Sequence, residues 1–287
     1  MKQDVARLVR REEGGVRRVW AVANQKGGVG KTTTTVTLAG QLAREGHRVL
    51  MFDLDPHGSL TTYFRQDPDA IEWSVYTLFK DRAEGREMPR YGRVLSKTGT
   101  ENLWLMPAST AQATLDRQLG AEEGMGLVIA RAVRDLSDRF DYVFLDCPPM
   151  LGVLMVNALA ACDQLVIPVQ TEFLALKGLE RMLHTLQMVM RARHQQVPHL
   201  VVPTMFDRRT RASTEALQAL RERHAEALWD DLIPVDTQFR EASKAGVPLS
   251  CWRPSSRGAR AYARLADTLL GRRDGSGTVP VDTRVTA

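Results

Sequence analysis

The segment Gln-Lys-Gly-Gly-Val-Gly-Lys-Thr-Thr, at residues 25–33, constrains this chain more than any other part of it. It follows the apolar run 18–23 and precedes a stretch with helical spacing that begins at Lys31. Glycines in such a turn let backbone N–H groups approach phosphate oxygens, and the N-terminus of the following helix adds partial positive charge. The order strand, glycine-rich turn and helix predicts a P-loop. The alternative, a tight glycine turn without a ligand, is disfavoured because consecutive positions fit the motif.

Individual P-loop residues have expected tasks. Lys31 should neutralise the β- and γ-phosphates, and the Thr32 hydroxyl should bind Mg²⁺. The residues expected to contact the nucleotide are Gly27, Gly28, Val29, Gly30, Lys31, Thr32 and Thr33. The predicted cofactors are therefore ATP and Mg²⁺.

Short apolar runs alternate with helical patterns along the rest of the chain. Several runs are apolar throughout, as expected for strands that are buried on both faces of a parallel sheet. Candidate strands are 18–23, 49–53, 103–106, 142–146, 164–169, 200–203 and 228–234, and candidate helices are 31–45, 126–140 and 174–193. The alternation predicts an α/β protein with a three-layer P-loop fold, whose mostly parallel central sheet is flanked by helices.

The two ends of the chain differ in composition from its middle. Residues 1–16 are polar and glycine-rich at their end, so we expect an arm outside the core. Residues 272–287 are rich in Gly, Pro and Thr without apolar periodicity, and we expect them to be disordered. The ATPase domain is therefore predicted to span residues 17–271.

Composition argues against several classes of protein. The 39 basic and 34 acidic residues give a net charge of +5, which permits a nucleic-acid surface without requiring one. Cys147, Cys162 and Cys251 are far apart in sequence, so neither a disulfide framework nor a zinc site is indicated. No apolar run reaches the ~18 residues that span a bilayer, and the N-terminus lacks the apolar stretch of a secretory signal. We expect a cytoplasmic protein.

Two residues at the start of the P-loop depart from the common motif. Gln25 stands where that motif has its first glycine, and Lys26 is an additional lysine. With these residues the chain, from about residue 18 to 270, resembles the deviant Walker-A ATPases of the ParA/MinD family. The resemblance implies an ATP-bound homodimer in which Lys26 reaches into the partner's site and stabilises charge during phosphoryl transfer. A solvated loop lysine is the alternative.

Three aspartates follow or end apolar runs. The segment 49–58, with its Asp-Leu-Asp-Pro-His-Gly end, resembles the D-x-D-P-x-G segment of the family, and residues 142–149 resemble a Walker-B element. The resemblance implies that Asp55 positions the attacking water, that Asp53 holds the water shell of magnesium, and that Asp146 binds Mg²⁺ through water. From the residues alone, Asp53 or Asp55 could instead cap a helix. His57 is expected to be a polar neighbour rather than a general base.

The adenine end of the site is also implied by the resemblance. Loops that follow late strands surround the base in the family, which makes Met205, Pro234 and Val235 the candidate contacts. Ordinary packing at strand ends is the alternative interpretation.

The resemblance leaves three possible functions for the ATPase cycle: membrane binding, DNA binding and the positioning of a protein cargo. A membrane-binding version requires a C-terminal amphipathic helix, which residues 272–287 are not expected to form. A DNA-binding version requires basic residues that contact phosphates without sequence preference. Relatives usually carry arginine at the positions of Val235 and Gln238, so a solvated basic face is an open alternative. The DNA candidates are Arg208, Arg209, Arg211, Arg240 and Lys244, with Arg253, Arg257, Arg260 and Arg264 as further basic residues.

The third version positions a protein cargo. Segments 152–159, 168–181 and 206–210 resemble the ParC-type branch, whose members place chemotaxis arrays, often at a cell pole. The expected function is an ATP-dependent dimerisation switch that positions a chemotaxis array, chromosome or plasmid through cycles of ATP binding, surface or DNA binding and slow hydrolysis. The expected partners are a second copy, a protein cargo or activating partner and nonspecific DNA, at a nucleoid-associated or polar location.

Two alternatives come from other classes of protein. One is a regulatory P-loop ATPase that acts through protein partners without binding DNA, in flagellar or division control. The other is a reductase of the nitrogenase iron-protein type, in which Cys147 and Cys162 would hold a cluster shared between subunits.

Overall fold

The computed structural model describes residues 18–86, 91–119, 124–193 and 196–272. The predicted arm, residues 1–16, lies outside the described residues, as does the predicted tail from residue 273 onward. Arg272, which the sequence assigned to the tail, donates a hydrogen bond of 2.6 Å from its guanidinium to the Glu45 carboxylate.

The centre of the structure is a seven-stranded sheet in the order β3-β4-β2-β5-β1-β6-β7. All neighbouring strands pair in parallel except β3 and β4, which are antiparallel. The predicted fold class, a mostly parallel sheet flanked by helices, is confirmed. The strands are β1 (Arg18–Val22), β2 (Val49–Asp53), β3 (Ser96–Lys97), β4 (Leu103–Met106), β5 (Tyr142–Asp146), β6 (Gln164–Gln170) and β7 (His199–Thr204).

Helices cover both faces of the sheet and form two apolar layers with it. One layer includes the buried residues of α3, α6, α7 and α8, and the other includes those of α1 and α12. In the described part of the chain the helices are α1 (Lys31–Arg44), α2 (Ser59–Tyr63), α3 (Val75–Ala83), α4 (Tyr91–Val94), α5 (Leu115–Leu119), α6 (Val128–Asp135), α7 (Val153–Ala161), α8 (Ala175–Arg193), α9 (Arg211–His224), α10 (Gln238–Ala245), α11 (Leu249–Trp252) and α12 (Arg257–Leu269). None of these described helices is both long enough and apolar enough to cross a membrane.

Three sequence-based predictions of secondary structure need correction. The segment 228–234 is not a strand, because only two isolated bridges, at Leu228 and Pro234, attach it to the β7 region. Between these two bridges, the Asp231 carboxylate accepts a hydrogen bond from the backbone N–H of Leu232. Such a local hydrogen bond competes with strand pairing. The helix predicted over 126–140 is shorter, since a 3₁₀ turn precedes α6 and α6 ends at Asp135. The short antiparallel strand β3 was not predicted.

The helix that follows the P-loop, α1, is held by hydrogen bonds to α11 and α12. Thr34 and Tyr262 of α12 share a hydrogen bond of 2.7 Å between their hydroxyl groups. The Ser250 hydroxyl of α11 donates to the backbone carbonyl of Thr37 at 3.0 Å. Gly40 permits this close approach, because a Cβ atom there would lie 2.3 Å from Cβ of Pro248.

We expect Gly40→Ala to destabilise the protein by about 1–3 kcal/mol, since an added methyl group must displace the Pro248 ring or the helix. Thermal unfolding measures this effect directly. Gly92→Ala is the matched control, because Gly92 is exposed on a helix and a Cβ atom there would meet nothing within 4 Å. Equal unfolding midpoints for the two variants would contradict the close packing of α1 on α11.

Candidate active site

The P-loop lies between the end of β1 and the start of α1, with its backbone open on one side. Gly28 and Gly30 have left-handed conformations, with φ of 76° and 91°, which residues with a side chain rarely adopt. A Cβ atom at Gly27 or Gly28 would meet nothing within 4 Å. The first turn of α1 therefore faces open space across a loop without side-chain obstruction, which suits a phosphate group.

Side chains from neighbouring strands fix the shape of this loop. Asn24 donates from its amide to the carbonyl of Pro168 on β6 at 2.8 Å, and its amide oxygen accepts from the backbone N–H of Lys26 at 3.0 Å. On the far side the Thr204 hydroxyl donates to the carbonyl of Val29 at 2.9 Å. The loop is thus tied to β6 and β7 at its two ends.

Lys31, the lysine of the common P-loop motif, reaches back to the backbone at the start of the loop. Its side chain is largely buried, and its ammonium group donates to the carbonyl of Lys26 at 3.3 Å. A neutral carbonyl at this distance is a weak partner for a cation, and a phosphate would be a stronger one.

Two buried carboxylates lie beneath the loop, at the ends of adjacent strands. Asp53 ends β2 and Asp146 ends β5, and the two residues are partners in the strand register. The Thr32 hydroxyl donates to Asp146 Oδ2 at 2.7 Å. The Thr61 hydroxyl and backbone N–H both donate to Asp53 Oδ2, at 2.6 and 2.8 Å. The three residues predicted to hold magnesium are therefore brought together.

Burial makes the charged forms of these carboxylates unfavourable. Burial and the nearby Asp146 carboxylate raise the pKa of Asp53 to about 8. Burial also raises the pKa of Asp146, to about 7, against the lowering effects of the Thr32 hydrogen bond and the Lys31 charge. A divalent cation would favour both ionised forms, and carboxylate and hydroxyl oxygens are the ligands that Mg²⁺ prefers. The donor set thus fits Mg²⁺.

Asp55 lies beside this pair on a tight turn. Its backbone N–H donates to Asp53 Oδ1 at 3.2 Å, and Gly58 closes the turn with a φ of 62°. Asp55 Oδ1 accepts from the backbone N–H of His57 at 3.0 Å, and the His57 ring Nδ1 lies 2.9 Å from the same oxygen. His57 is a polar neighbour of Asp55, and its ring is largely exposed.

The additional lysine of the motif, Lys26, pairs with a partly exposed carboxylate. The ammonium group of Lys26 pairs with the carboxylate of Glu172, and both side chains are partly exposed. Gly178 of α8 packs alongside, since a Cβ atom there would lie 3.5 Å from Cβ of Lys26. Sequence reasoning did not identify Glu172, although an acidic residue just after a predicted strand end was a visible signal.

Among the candidate adenine contacts, Met205 lies next to the P-loop, and Pro234 and Val235 lie next to Phe206. Met205 adopts a left-handed conformation with a φ of 53°, and its Cε atom would lie 3.7 Å from a Cβ atom at Gly30. The backbone N–H of Val235 donates to the carbonyl of Phe206, and Phe206 also bridges to Pro234. Met205 and Val235 are exposed at 37% and 43%. They form an apolar surface beside the loop, and their contact with adenine remains a prediction.

Known proteins are similar to this chain in sequence and in fold. A family model described as an AAA domain matches residues 17–198. The sporulation initiation inhibitor protein Soj of Bacillus subtilis is 35% identical over 250 residues, which cover 87% of this chain and 96% of Soj. The chromosome partitioning protein ParA of Caulobacter vibrioides is 33% identical over 261 residues, which cover 89% of this chain and 94% of that protein.

The chain belongs to the ParA family of P-loop ATPases.

A solved structure shares the same fold at comparable identity. It is titled cobyrinic acid a,c-diamide synthase from Mycobacterium smegmatis, with a bound ATP analog and magnesium. It is 35% identical, has a TM-score of 0.75, and the match covers 89% of this chain and 95% of that one. The prediction of ATP and Mg²⁺ as the cofactors of this ParA-family chain is confirmed at the level of the family, and the P-loop and the buried carboxylates fit them.

The candidate DNA contacts of this ParA-family chain are exposed, but several are already paired. Arg209 forms an ion pair with Asp207 at 2.7 Å, Arg211 with Glu215 at 2.6 Å, and Lys244 with Glu241 at 3.3 Å. Arg208 and Arg240 are exposed as well. The local acidic partners reduce the positive charge that these segments present to a phosphate backbone.

The reductase alternative is disfavoured by the positions of the cysteines. Cys147 and Cys162 are buried in one apolar layer between the sheet and its helices, at 0% and 3% exposure. Burial raises the pKa of Cys147 well above its ordinary value and that of Cys162 to about 12. Thiols held neutral inside one subunit are poor ligands for a cluster that two subunits share.

We expect Asp146→Asn to raise the unfolding midpoint without nucleotide by at least about 2 °C at pH 8, and by less at pH 5. The folded-state pKa of Asp146 is raised from 3.8 to about 7, so stability falls as pH rises between these two values, and the loss is largely complete at pH 8. The amide removes that cost and also removes a predicted magnesium ligand, so Mg²⁺-dependent ATP binding should weaken. Asp69→Asn, at an exposed carboxylate, is the control. A midpoint that falls at pH 8 would refute the account.

Proposed function

We propose that this chain is an ATP-dependent dimerisation switch that positions a cellular cargo. The observation that carries the proposal is the ion pair of Lys26, whose ammonium group meets the carboxylate of Glu172 where both side chains are partly exposed. A lysine held beside the P-loop in this way is available to a second subunit. The ATP-bound form is then a homodimer in which each Lys26 completes the other site.

The residues have distinct roles in slow ATP hydrolysis. The P-loop backbone and Lys31 hold the phosphates, while Thr32 and Asp146, with Asp53 behind them, bind and orient Mg²⁺, which neutralises phosphate charge when bound. Asp55 orients the attacking water. Lys26 from the partner stabilises charge in the transition state, as arginine fingers do with effects of roughly 10³–10⁵ in rate.

The proposed output is the movement or placement of cargo. The curated relatives include a chromosome partitioning protein of similar length, which supports a positioning role over a role in small-molecule metabolism. Within that role we assign the chain to the ParC-type branch, with a chemotaxis array as cargo and a polar location. Chromosome or plasmid positioning with a nucleoid-associated location is the nearest variant. The alternative is regulatory: control of flagella or division through protein partners without DNA.

Lys26→Gln should retain ATP binding and lose most hydrolysis. The amide keeps the polar character of the side chain but supplies no charge to the partner's site. ATP binding and phosphate release are measured in parallel, with Lys80→Gln as the control because Lys80 is an exposed lysine on α3. Unchanged turnover in the Lys26 variant would remove its role in the partner's site.

Asp55→Ala should accumulate the ATP-bound dimer, because water is no longer oriented for attack while the nucleotide contacts remain. Size-exclusion chromatography with ATP and Mg²⁺ distinguishes dimer from monomer. His57→Ala serves as the control, since its exposed ring contacts Asp55 without replacing the carboxylate. A variant that stays monomeric with ATP would show that Asp55 has another role.

Nonspecific DNA binding should depend on ATP and on salt. Contacts to phosphates release counterions, so binding to a random duplex should be present at about 50 mM salt and weaken steeply above it. Arg208→Ala combined with Arg240→Ala should reduce it. Absence of binding at low salt would favour the regulatory alternative, in which only protein partners are engaged.

A further inference from the structure

The loop after β5, residues 147–152, connects the predicted magnesium ligand Asp146 to the start of α7. Its first residue is fixed, because the backbone N–H of Cys147 donates to a carbonyl of β1 at 3.1 Å. Met150 and Leu151, in the middle of the loop, are exposed at 69% and 44%, so burial contributes little to their placement. The position of the loop therefore depends on what holds its other end.

That other end is held by a carboxylate from a different helix. Gly152 is the N-cap of α7 and has no side chain that could accept a hydrogen bond from the first turn. Asp116 of α5 takes this task, since its Oδ1 accepts from the backbone N–H of Val153 at 2.5 Å. A carboxylate at the N-terminus of a helix also interacts favourably with the helix dipole. Asp116 thus caps α7 from outside the helix.

The same carboxylate explains why residue 152 is a glycine. The backbone of Gly152 is extended, a conformation that any residue adopts, so backbone strain is not the reason. A Cβ atom there would lie 2.7 Å from Oδ1 and 2.8 Å from Cγ of Asp116. The carboxylate and the glycine therefore fit each other closely, and a side chain at this position would displace the cap.

The chain just before α5 is attached to the other buried carboxylate. The backbone N–H of Ala108 donates to the Thr61 hydroxyl at 2.8 Å, and that hydroxyl donates to Asp53 Oδ2. The Gln112 amide donates to the backbone carbonyl of Asp53 at 3.4 Å. Ala108 and Gln112 are both buried. The segment 108–116 therefore joins the end of β2 to the start of α7.

We propose that Asp116 is a positioning residue for ATP, which holds loop 147–152 in the arrangement that receives the γ-phosphate. In GTPases of the P-loop class, contacts with the γ-phosphate and Mg²⁺ order the switch loops. Segment 108–116 keeps loop 147–152 in register with the end of β2. ADP lacks the γ-phosphate, so its binding depends less on this arrangement. The inference rests on the proposed role of Asp146 as a magnesium ligand, and it requires no second subunit.

The test compares Asp116→Ala with Asp116→Asn in the full chain. The affinities for ADP and for a non-hydrolysable ATP analogue are measured separately with Mg²⁺. The Asp116 side chain is itself exposed, so its removal leaves no cavity and both variants should fold. Loss of the cap lowers the fraction of molecules with a competent loop, so Asp116→Ala should weaken the ATP analogue about fivefold and ADP less than about twofold. The amide oxygen of Asp116→Asn still accepts from Val153, so this variant should keep most of the affinity.

Gly152→Ala tests the same contact from the other side, because its Cβ atom displaces the carboxylate. In the double variant with Asp116→Ala the added methyl group meets no carboxylate, so the two effects should not add. Two controls should leave both affinities unchanged. Arg117→Ala changes the neighbouring exposed position on α5. Gly126→Ala places a Cβ atom at an ordinary 3.8 Å from Val156 of α7.

Hydrogen exchange without nucleotide measures the cap directly. The amides at the start of α7 should exchange at least about fivefold faster in Asp116→Ala than in the unaltered chain. Their exchange should be unchanged in Arg117→Ala.

Four outcomes would overturn the proposal. They are an unchanged affinity of Asp116→Ala for the ATP analogue, equal weakening for the analogue and ADP, an Asp116→Asn variant as impaired as Asp116→Ala, and additive effects of Asp116→Ala and Gly152→Ala. Because the analogue is not hydrolysed, these results are independent of charge supplied by Lys26. Normal hydrolysis by Lys26→Gln would contradict the shared site and leave the role of Asp116 standing.

Discussion

The hydrogen bond from Thr32 to Asp146 joins the first turn of α1 to the end of β5, and the rest of the site is arranged around it. It fixes the P-loop helix against the sheet at the point where the chain passes from one side of β1 to the other. In open α/β sheets such a point is where ligands bind. The adjacent Asp53 completes a pair of buried carboxylates, whose ionised forms a divalent cation would stabilise.

The buried carboxylate pair lowers the stability of the protein without magnesium and provides ligands for the cation. Burial raises the pKa of both aspartates, so the empty site is destabilised as it ionises, and bound magnesium recovers that free energy. The remaining structure must hold the site without help from the ligand. The contacts of α1 with α11, which Gly40 permits, and with α12 hold α1 on the face of the sheet opposite α8.

The sequence predicted strands correctly where a local run of apolar residues is also buried in the folded protein. The strands 49–53, 103–106 and 142–146 were predicted with their observed bounds, because each is a continuous apolar run that is buried in the sheet. The segment 228–234 looked similar, but side-chain bonds to its own backbone and to Arg264 outweigh strand pairing. The pairing of Glu172 with Lys26 and the left-handed conformation of Met205 could not be foreseen, since they follow from contacts between segments that are distant in sequence. The sequence predicted the residues Thr32, Asp53 and Asp146, which the structure brings together, and only the three-dimensional structure gave the pairing of Lys26 with Glu172.

The central claim is that each nucleotide site is shared between two subunits. Mixing the Lys26→Gln and Asp55→Ala proteins tests it most directly, since each alone lacks one of the required groups. In a mixed dimer, the site of the Lys26→Gln subunit retains Asp55 and receives Lys26 from its partner, so one site is complete. The account predicts that ATP hydrolysis reappears on mixing, in proportion to the mixed dimer. If the mixture stays as inactive as its separate components while mixed dimers form, the shared site is contradicted.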